Sequence, residues 1–212
     1  MRNSQTIQKN HQLTTTLATL SIFFINVVFF IVLNVAPETR NILLIDASTT
    51  MILQKPWTLV TVFFSHEVWF HLLGNMSLLL YFGLHLEKRI GSKRMLLVYL
   101  VSGFISTLTI PMLAPIIQFS GLVVGASGAC FGVVAAFATI SPRHQFSNKE
   151  SRFAKMMFAG DVRVFAILLF AFNAVVLIIN PAISIGAGAH SMGMLVGVLF
   201  GLQFKKNLVE QV

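Results

Sequence analysis

Six apolar stretches, at roughly 17–36, 68–86, 95–114, 123–140, 162–180 and 185–204, dominate this chain of 212 residues. Each has about the length a helix needs to cross a hydrocarbon core of about 30 Å, with 123–140 the shortest. Lipid offers nothing to bond main-chain N–H and C=O groups, so a spanning segment must satisfy them within its own helix or in a closed barrel. The expectation is an all-α polytopic membrane protein, a compact six-transmembrane-helix bundle. Charged residues make up only 10% of the chain, against about 25% in a soluble domain. No soluble domain is left over.

The net charge of +8 is distributed unevenly. The N-terminal segment carries +2 (Arg2, Lys9), the 87–94 connection +3, the 141–163 connection +3 and the tail +1, whereas 37–67 carries −1. The third and fifth connections carry no charge. Positive excess in alternate connections is the pattern of spans with both N and C termini cytoplasmic. The basic balance therefore reports topology and some attraction to anionic lipid of the bilayer, with no nucleic acid implied. The expected division is a short cytoplasmic segment at 1–16, a membrane domain at 17–204 and a short cytoplasmic tail at 205–212. The first apolar stretch is too long for a typical signal-peptide core and reads as a retained helix. Cys130 is the only cysteine, so no intrachain disulfide forms. Residues 56–64 read as part of a long, irregular first loop at the outer leaflet, and Pro111 and Pro115 fall in an apolar third outer loop.

Polar groups inside such stretches are costly and mark function by default. With this topology the second, fourth and sixth stretches all descend from the outer face. His71 lies about four residues into the second, with Asn75 at i+4 on the same helix face. Ser127 lies about four residues into the fourth and His190 about five into the sixth. At 1.5 Å per residue, His71, Ser127 and His190 fall roughly 6–8 Å below the outer face, with Asn75 one turn deeper. One shared layer of polar side chains points to a water-accessible pocket. A serine beside a histidine has the parts of an activated nucleophile. Gly128, Gly132 and Ala136 recur at every fourth position, as do Gly193, Gly197 and Gly201, a spacing that lets membrane helices approach closely.

Other chemistries fail on spacing or composition. His66 and His71 stand at i, i+5, whereas a zinc-binding His-Glu-x-x-His pair needs i, i+4. The aspartates, Asp46 and Asp161, lie outside the apolar stretches, which excludes an intramembrane aspartyl pair. Position 129 is alanine, so Gly125 to Ala129 is not the Gly-x-Ser-x-Gly elbow of soluble hydrolases. No phosphate loop or dinucleotide fingerprint is visible, and neither metal nor cofactor is expected.

Trp57, then His66-x4-His71-x3-Asn75, Glu87-Lys88-Arg89, Gly125-Ala-Ser127-Gly128 and Ala189-His190-x2-Gly193-x3-Gly197 together make the chain resemble the rhomboid family of intramembrane serine proteases. The resemblance runs from about Trp57 to the end of the sixth stretch. It implies a six-helix fold with a site open to water on the outer side, Ser127 as nucleophile and His190 as general base. It further implies His71, Asn75 and the Ser127 backbone N–H as oxyanion donors, supported by Gly125, Gly128, Phe131, Gly193 and Gly197. Substrates would be transmembrane segments of other proteins. No organelle-targeting signal is evident, so the expected membrane is the plasma (inner) membrane of a prokaryote. Thr58 follows Trp57 where arginine is common, and Phe131 stands where tyrosine is common. With neither a seventh helix nor a large extramembrane domain, the chain reads as a minimal six-span version. The runner-up is a non-catalytic membrane-protein binding factor of the same family. A small-solute transporter, which would carry ionisable residues in its spans or inverted repeats, fits less well.

Overall fold

The computed structural model describes residues 16–141, 161–179 and 181–209. Nearly all of the expected N-terminal segment, most of the basic connection at 141–163 and the last residues of the tail lie outside the described residues.

The chain opens with α1 (Leu17–Val35). The first connection then folds into short pieces: a 3-10 turn at Pro37–Thr39, α2 (Arg40–Leu43), β1 (Ile45–Asp46), α3 (Thr49–Gln54), α4 (Thr58–Thr61) and a second 3-10 turn at Val62–Phe64. After it, α5 (Trp69–Leu78) passes through a π segment, Leu79–Gly83, into α6 (Leu84–Ile90). Next come α7 (Ser92–Leu113), β2 (Leu122–Val123), α8 (Ser127–Ile140), α9 (Val162–Ile179) and α10 (Pro181–Val209). Among the described residues, four helical stretches are long and apolar enough to cross a membrane: Leu17–Val35, Ser92–Leu113, Val162–Ile179 and Ile185–Lys206. The second apolar stretch is a helix interrupted by the π segment, and α8 is a shorter apolar helix of 14 residues.

Three sequence expectations need correction. The stretch 123–140 is not helical throughout, because Gly121 and Gly125 take φ of +127° and +132°, a region open chiefly to glycine. The chain between them is extended, and Ile45 and Asp46 pair antiparallel with Val123 and Leu122. Ser127 therefore opens α8 instead of lying a turn inside it. Residues 56–64 are not irregular but mostly helical. Pro111 belongs to the last turn of α7, not to a loop.

The first connection is pinned to itself by polar contacts. Trp57 Nε1 donates to the Ile42 carbonyl (2.8 Å), Lys55 Nζ to the Asn41 carbonyl (2.8 Å) and Thr61 Oγ1 to the Leu43 carbonyl (2.6 Å). Arg40 pairs with Glu67 at 2.9 Å. Arg40 thus supplies an arginine anchor for this region from a place other than position 58.

At the bundle's centre α8 is clasped on two sides. A Cβ added to Gly128 or Gly132 would collide with Ser106 or Ser102 of α7, and one added to Gly193 or Gly197 of α10 would collide with the Gly128 or Gly132 carbonyl. Residues without side chains thus let α10 meet α8 at backbone distance and let the α7 serine side chains lie directly on the α8 backbone. At the other end of the bundle the buried Glu87 accepts from Ala18 N (2.9 Å), Thr19 N (2.9 Å), Thr19 Oγ1 (2.6 Å) and Ser92 Oγ (2.6 Å). This carboxylate satisfies first-turn N–H groups of α1, which have no intrahelical partner.

Candidate active site

Ser127 heads α8 because the glycine-broken segment before it cannot continue the helix backward. Gly125 N bonds the Val62 carbonyl at 3.4 Å and Ala47 N the Gly121 carbonyl at 3.1 Å, so the first connection holds this approach in place. As the first helical residue, Ser127 presents its own N–H among the unpaired donors at the positive end of the helix.

His190 lies inside α10, beside the Gly193 contact that brings this helix onto α8. Ser127 Oγ and His190 Nε2 are 2.6 Å apart. On the far side of the ring, His190 Nδ1 lies 2.8 Å from Asn173 Oδ1 of α9. The Phe131 ring, one turn after Ser127, lies 4.6 Å from the imidazole centroid to centroid, tilted by 53°. A hydroxyl, an imidazole and an amide oxygen thus stand in line across three helices. Such a line can move a proton from hydroxyl to ring as the oxygen attacks an electrophile.

His71 and Asn75 stand on α5, and His71 faces the loop that leads into α8. A Cβ on Gly125 would lie 2.7 Å from His71 Cε1, so only glycine admits this ring so close to the backbone two residues before Ser127. The Asn75 amide donates to His66 Nε2 at 2.9 Å, and the His66 and His71 rings meet edge to face at 5.0 Å. His66 is in the connection before α5 and fully buried. Burial first, and the facing His71 second, push its pKa down to about 3, which keeps the imidazole neutral and able to accept from Asn75. A cavity of about 40 Å³ adjoins Ser127 and His190, with Val62, Phe63, Ser106 and Thr107 in its walls. Among the described residues no cluster of three metal-ligating side chains occurs.

Asn173 went unnoticed in the sequence. It is the one polar residue between Val164 and Ile179, so the argument that singles out a polar group in hydrocarbon applied to it as much as to His190. Its partner lies on another helix, and that pairing is visible only in three dimensions.

A family model described as the Rhomboid domain matches residues 53–207. Rhomboid-like protease 3 of Toxoplasma gondii is 26% identical over 176 residues, 82% of this chain and 62% of that protein. Rhomboid protein 1, mitochondrial, of Saccharomyces cerevisiae is 29% identical over 171 residues, 76% of this chain and 47% of that one. RHOMBOID-like protein 1 of Arabidopsis thaliana is 37% identical over 92 residues, 43% of this chain and 23% of that one. The chain spans less than two thirds of the length of each of these relatives.

Proposed function

The chain belongs to the rhomboid family of integral membrane proteins, and from that premise we propose that it is an intramembrane serine endopeptidase. Its substrates are transmembrane segments of other membrane proteins, and Ser127 and His190 do the chemistry. The observation that carries this reading is the 2.6 Å contact between Ser127 Oγ and His190 Nε2.

The reaction starts when Ser127 Oγ attacks a peptide carbonyl carbon while its proton passes to His190 Nε2. The resulting oxyanion takes hydrogen bonds from the Ser127 N–H at the start of α8, and from His71 and the second N–H of the Asn75 amide. One such donor supplies roughly 3–4 kcal/mol of transition-state stabilisation. Collapse breaks the C–N bond, and His190 returns the proton to the leaving amine. Water then attacks the acyl ester with its proton going to His190, which gives it back to Ser127 Oγ as the acid leaves. Gly125, Gly128, Phe131, Gly193 and Gly197 support this geometry, and neither metal nor cofactor enters it.

Six membrane crossings with both termini cytoplasmic account best for the charge distribution. In this arrangement 1–16 and 205–212 flank a membrane domain at 17–204. Arg89 lies over Phe137 at 5.8 Å and Arg94 over Phe204 at 5.6 Å, so these basic groups gather at the end of the bundle away from Ser127. Fourteen helical residues rise about 21 Å, short of a hydrocarbon core of about 30 Å. A helix α8 anchored at its inner end therefore leaves Ser127 roughly 9 Å below the outer face, beneath an approach that water and an unwound substrate can share. The plasma membrane of a prokaryote is the expected site.

Labelling with a fluorophosphonate tests the nucleophile. Wild-type protein should gain one adduct, mapped to Ser127 by peptide mass, and Ser127→Ala should gain none. An adduct of equal yield on Ser127→Ala would remove Ser127 from the role.

A further inference from the structure

The chain Ser127, His190, Asn173 has a direction, and its direction comes from α9. Asn173 Nδ2 donates to the Leu169 carbonyl one turn earlier at 2.7 Å. That bond orients the amide: were it turned over, Oδ1 would face the Leu169 carbonyl, acceptor against acceptor. With Nδ2 committed to the backbone, Oδ1 is the atom 2.8 Å from His190 Nδ1. An amide oxygen only accepts, so Nδ1 carries the ring hydrogen and Nε2 is left with a lone pair. That lone pair faces Ser127 Oγ. The state of the ring at Nδ1 thus fixes what it can do at Nε2.

From this we infer that Asn173 is a positioning residue, which holds His190 in the one neutral tautomer that can take the Ser127 proton and locks the ring's angle. The inference rests on the reading of Ser127 and His190 as the reacting pair. Asn173 is buried (4% exposed) in a helix otherwise facing lipid along much of its length, and its place in hydrocarbon is explained once both ends of the amide are bonded. As the His190 ring gains a proton in the reaction, Nδ1–H becomes a stronger donor, and the Asn173 oxygen accepts it without moving. In function Asn173 stands where a carboxylate stands in a three-residue serine triad. Being neutral, it orients the ring without adding a full negative charge within the membrane. It touches no reacting atom. The base is thereby fastened to α9, so any tilt of α9 is felt at the imidazole.

Two variants separate positioning from packing. Asn173→Leu has nearly the same volume and suits a membrane helix, but accepts nothing. Asn173→Asp keeps an acceptor oxygen toward Nδ1 whether ionised or protonated. Purified variants are placed in proteoliposomes with a single-span test substrate, and kcat, KM and the thermal unfolding midpoint are read. Asn173→Leu should lower kcat roughly 100-fold with KM within about 2-fold and the midpoint unchanged, a smaller loss than a misdirected charged triad gives. Asn173→Asp should recover kcat to within about 10-fold of wild type. Wild-type kcat in Asn173→Leu would overturn the inference, as would equal loss in both variants when both are folded. Absence of Ser127-dependent cleavage in the wild-type protein would instead bring down the parent reading, and this inference with it.

Discussion

The Cα of Gly193 lies against the main-chain carbonyl of Gly128, with no side chain between the helix that carries His190 and the helix that starts at Ser127. The spacing of Ser127 and His190 depends on this contact. Gly193→Val must push α10 away from α8, and a displacement of about 1 Å costs on the order of 100-fold in kcat. Gly74 offers the control, because a Cβ there meets nothing within 4 Å. Gly74→Ala should leave kcat unchanged, and steady-state cleavage by the two variants side by side checks both statements.

Phe131 holds the imidazole from the side. An aromatic contact of this kind contributes about 0.5–1.5 kcal/mol beyond its buried area. Phe131→Leu should therefore lower kcat about 2- to 10-fold, while Phe131→Tyr, which keeps the ring, should stay within about 2-fold of wild type. Equal kcat for the leucine and tyrosine variants would count against an orienting role for the ring.

Much of this arrangement is legible in the sequence, and the exceptions share a cause. The lengths of the apolar stretches announce helices in lipid, and the two glycine series mark the faces that meet, Gly193 on Gly128 and Gly197 on Gly132. Hydropathy cannot see that Gly121 and Gly125 adopt positive φ, so it extends the fourth stretch back to residue 123 and sets Ser127 a turn inside its helix instead of at the start. Ser102 and Ser106 on α7, which fill the space above Gly132 and Gly128, read as ordinary membrane-helix serines until the helices are packed. Asn173 escapes because it is defined by a partner on another element, and spacing along one helix carries no trace of it; the bond from Asn75 to His66 is hidden in the same way, though His66 itself stands in the sequence motif.

His66 makes folding stability depend on pH with a definite sign. Its native pKa is down at about 3, against about 6.5 when unfolded. The neutral ring's contribution is complete above about pH 6.5 and is lost progressively as pH falls toward 3, because the unfolded chain binds the proton first. His66→Gln keeps an acceptor for Asn75 but does not titrate. Thermal unfolding of the two proteins between pH 7.5 and pH 4 should show the wild type losing ground to the variant as pH falls. A constant difference across that range would contradict the assignment.

Glu87 sits at the end of the bundle opposite Ser127, and its four accepted hydrogen bonds join α1, α6 and α7. Glu87→Ala strands the α1 first-turn N–H groups in a buried site and should destabilise the fold by about 2–4 kcal/mol. Because the change is remote from the reacting pair, kcat at low temperature should remain within about 2-fold of wild type. Equilibrium unfolding in lipid and cleavage at 10 °C read the two effects separately.

Cleavage of a single-span substrate in proteoliposomes tests the central claim most directly. Wild-type protein, Ser127→Ala and His190→Ala are compared, with product masses read by mass spectrometry. The account expects cutting by the wild type alone, at one bond within or beside the substrate helix. It also expects faster cutting when glycine weakens that helix than when the helix is poly-leucine. Equal cutting by all three proteins would contradict it. So would intact substrate across a broad panel with folded wild-type protein, which would favour a member of the family that binds membrane proteins without cutting them.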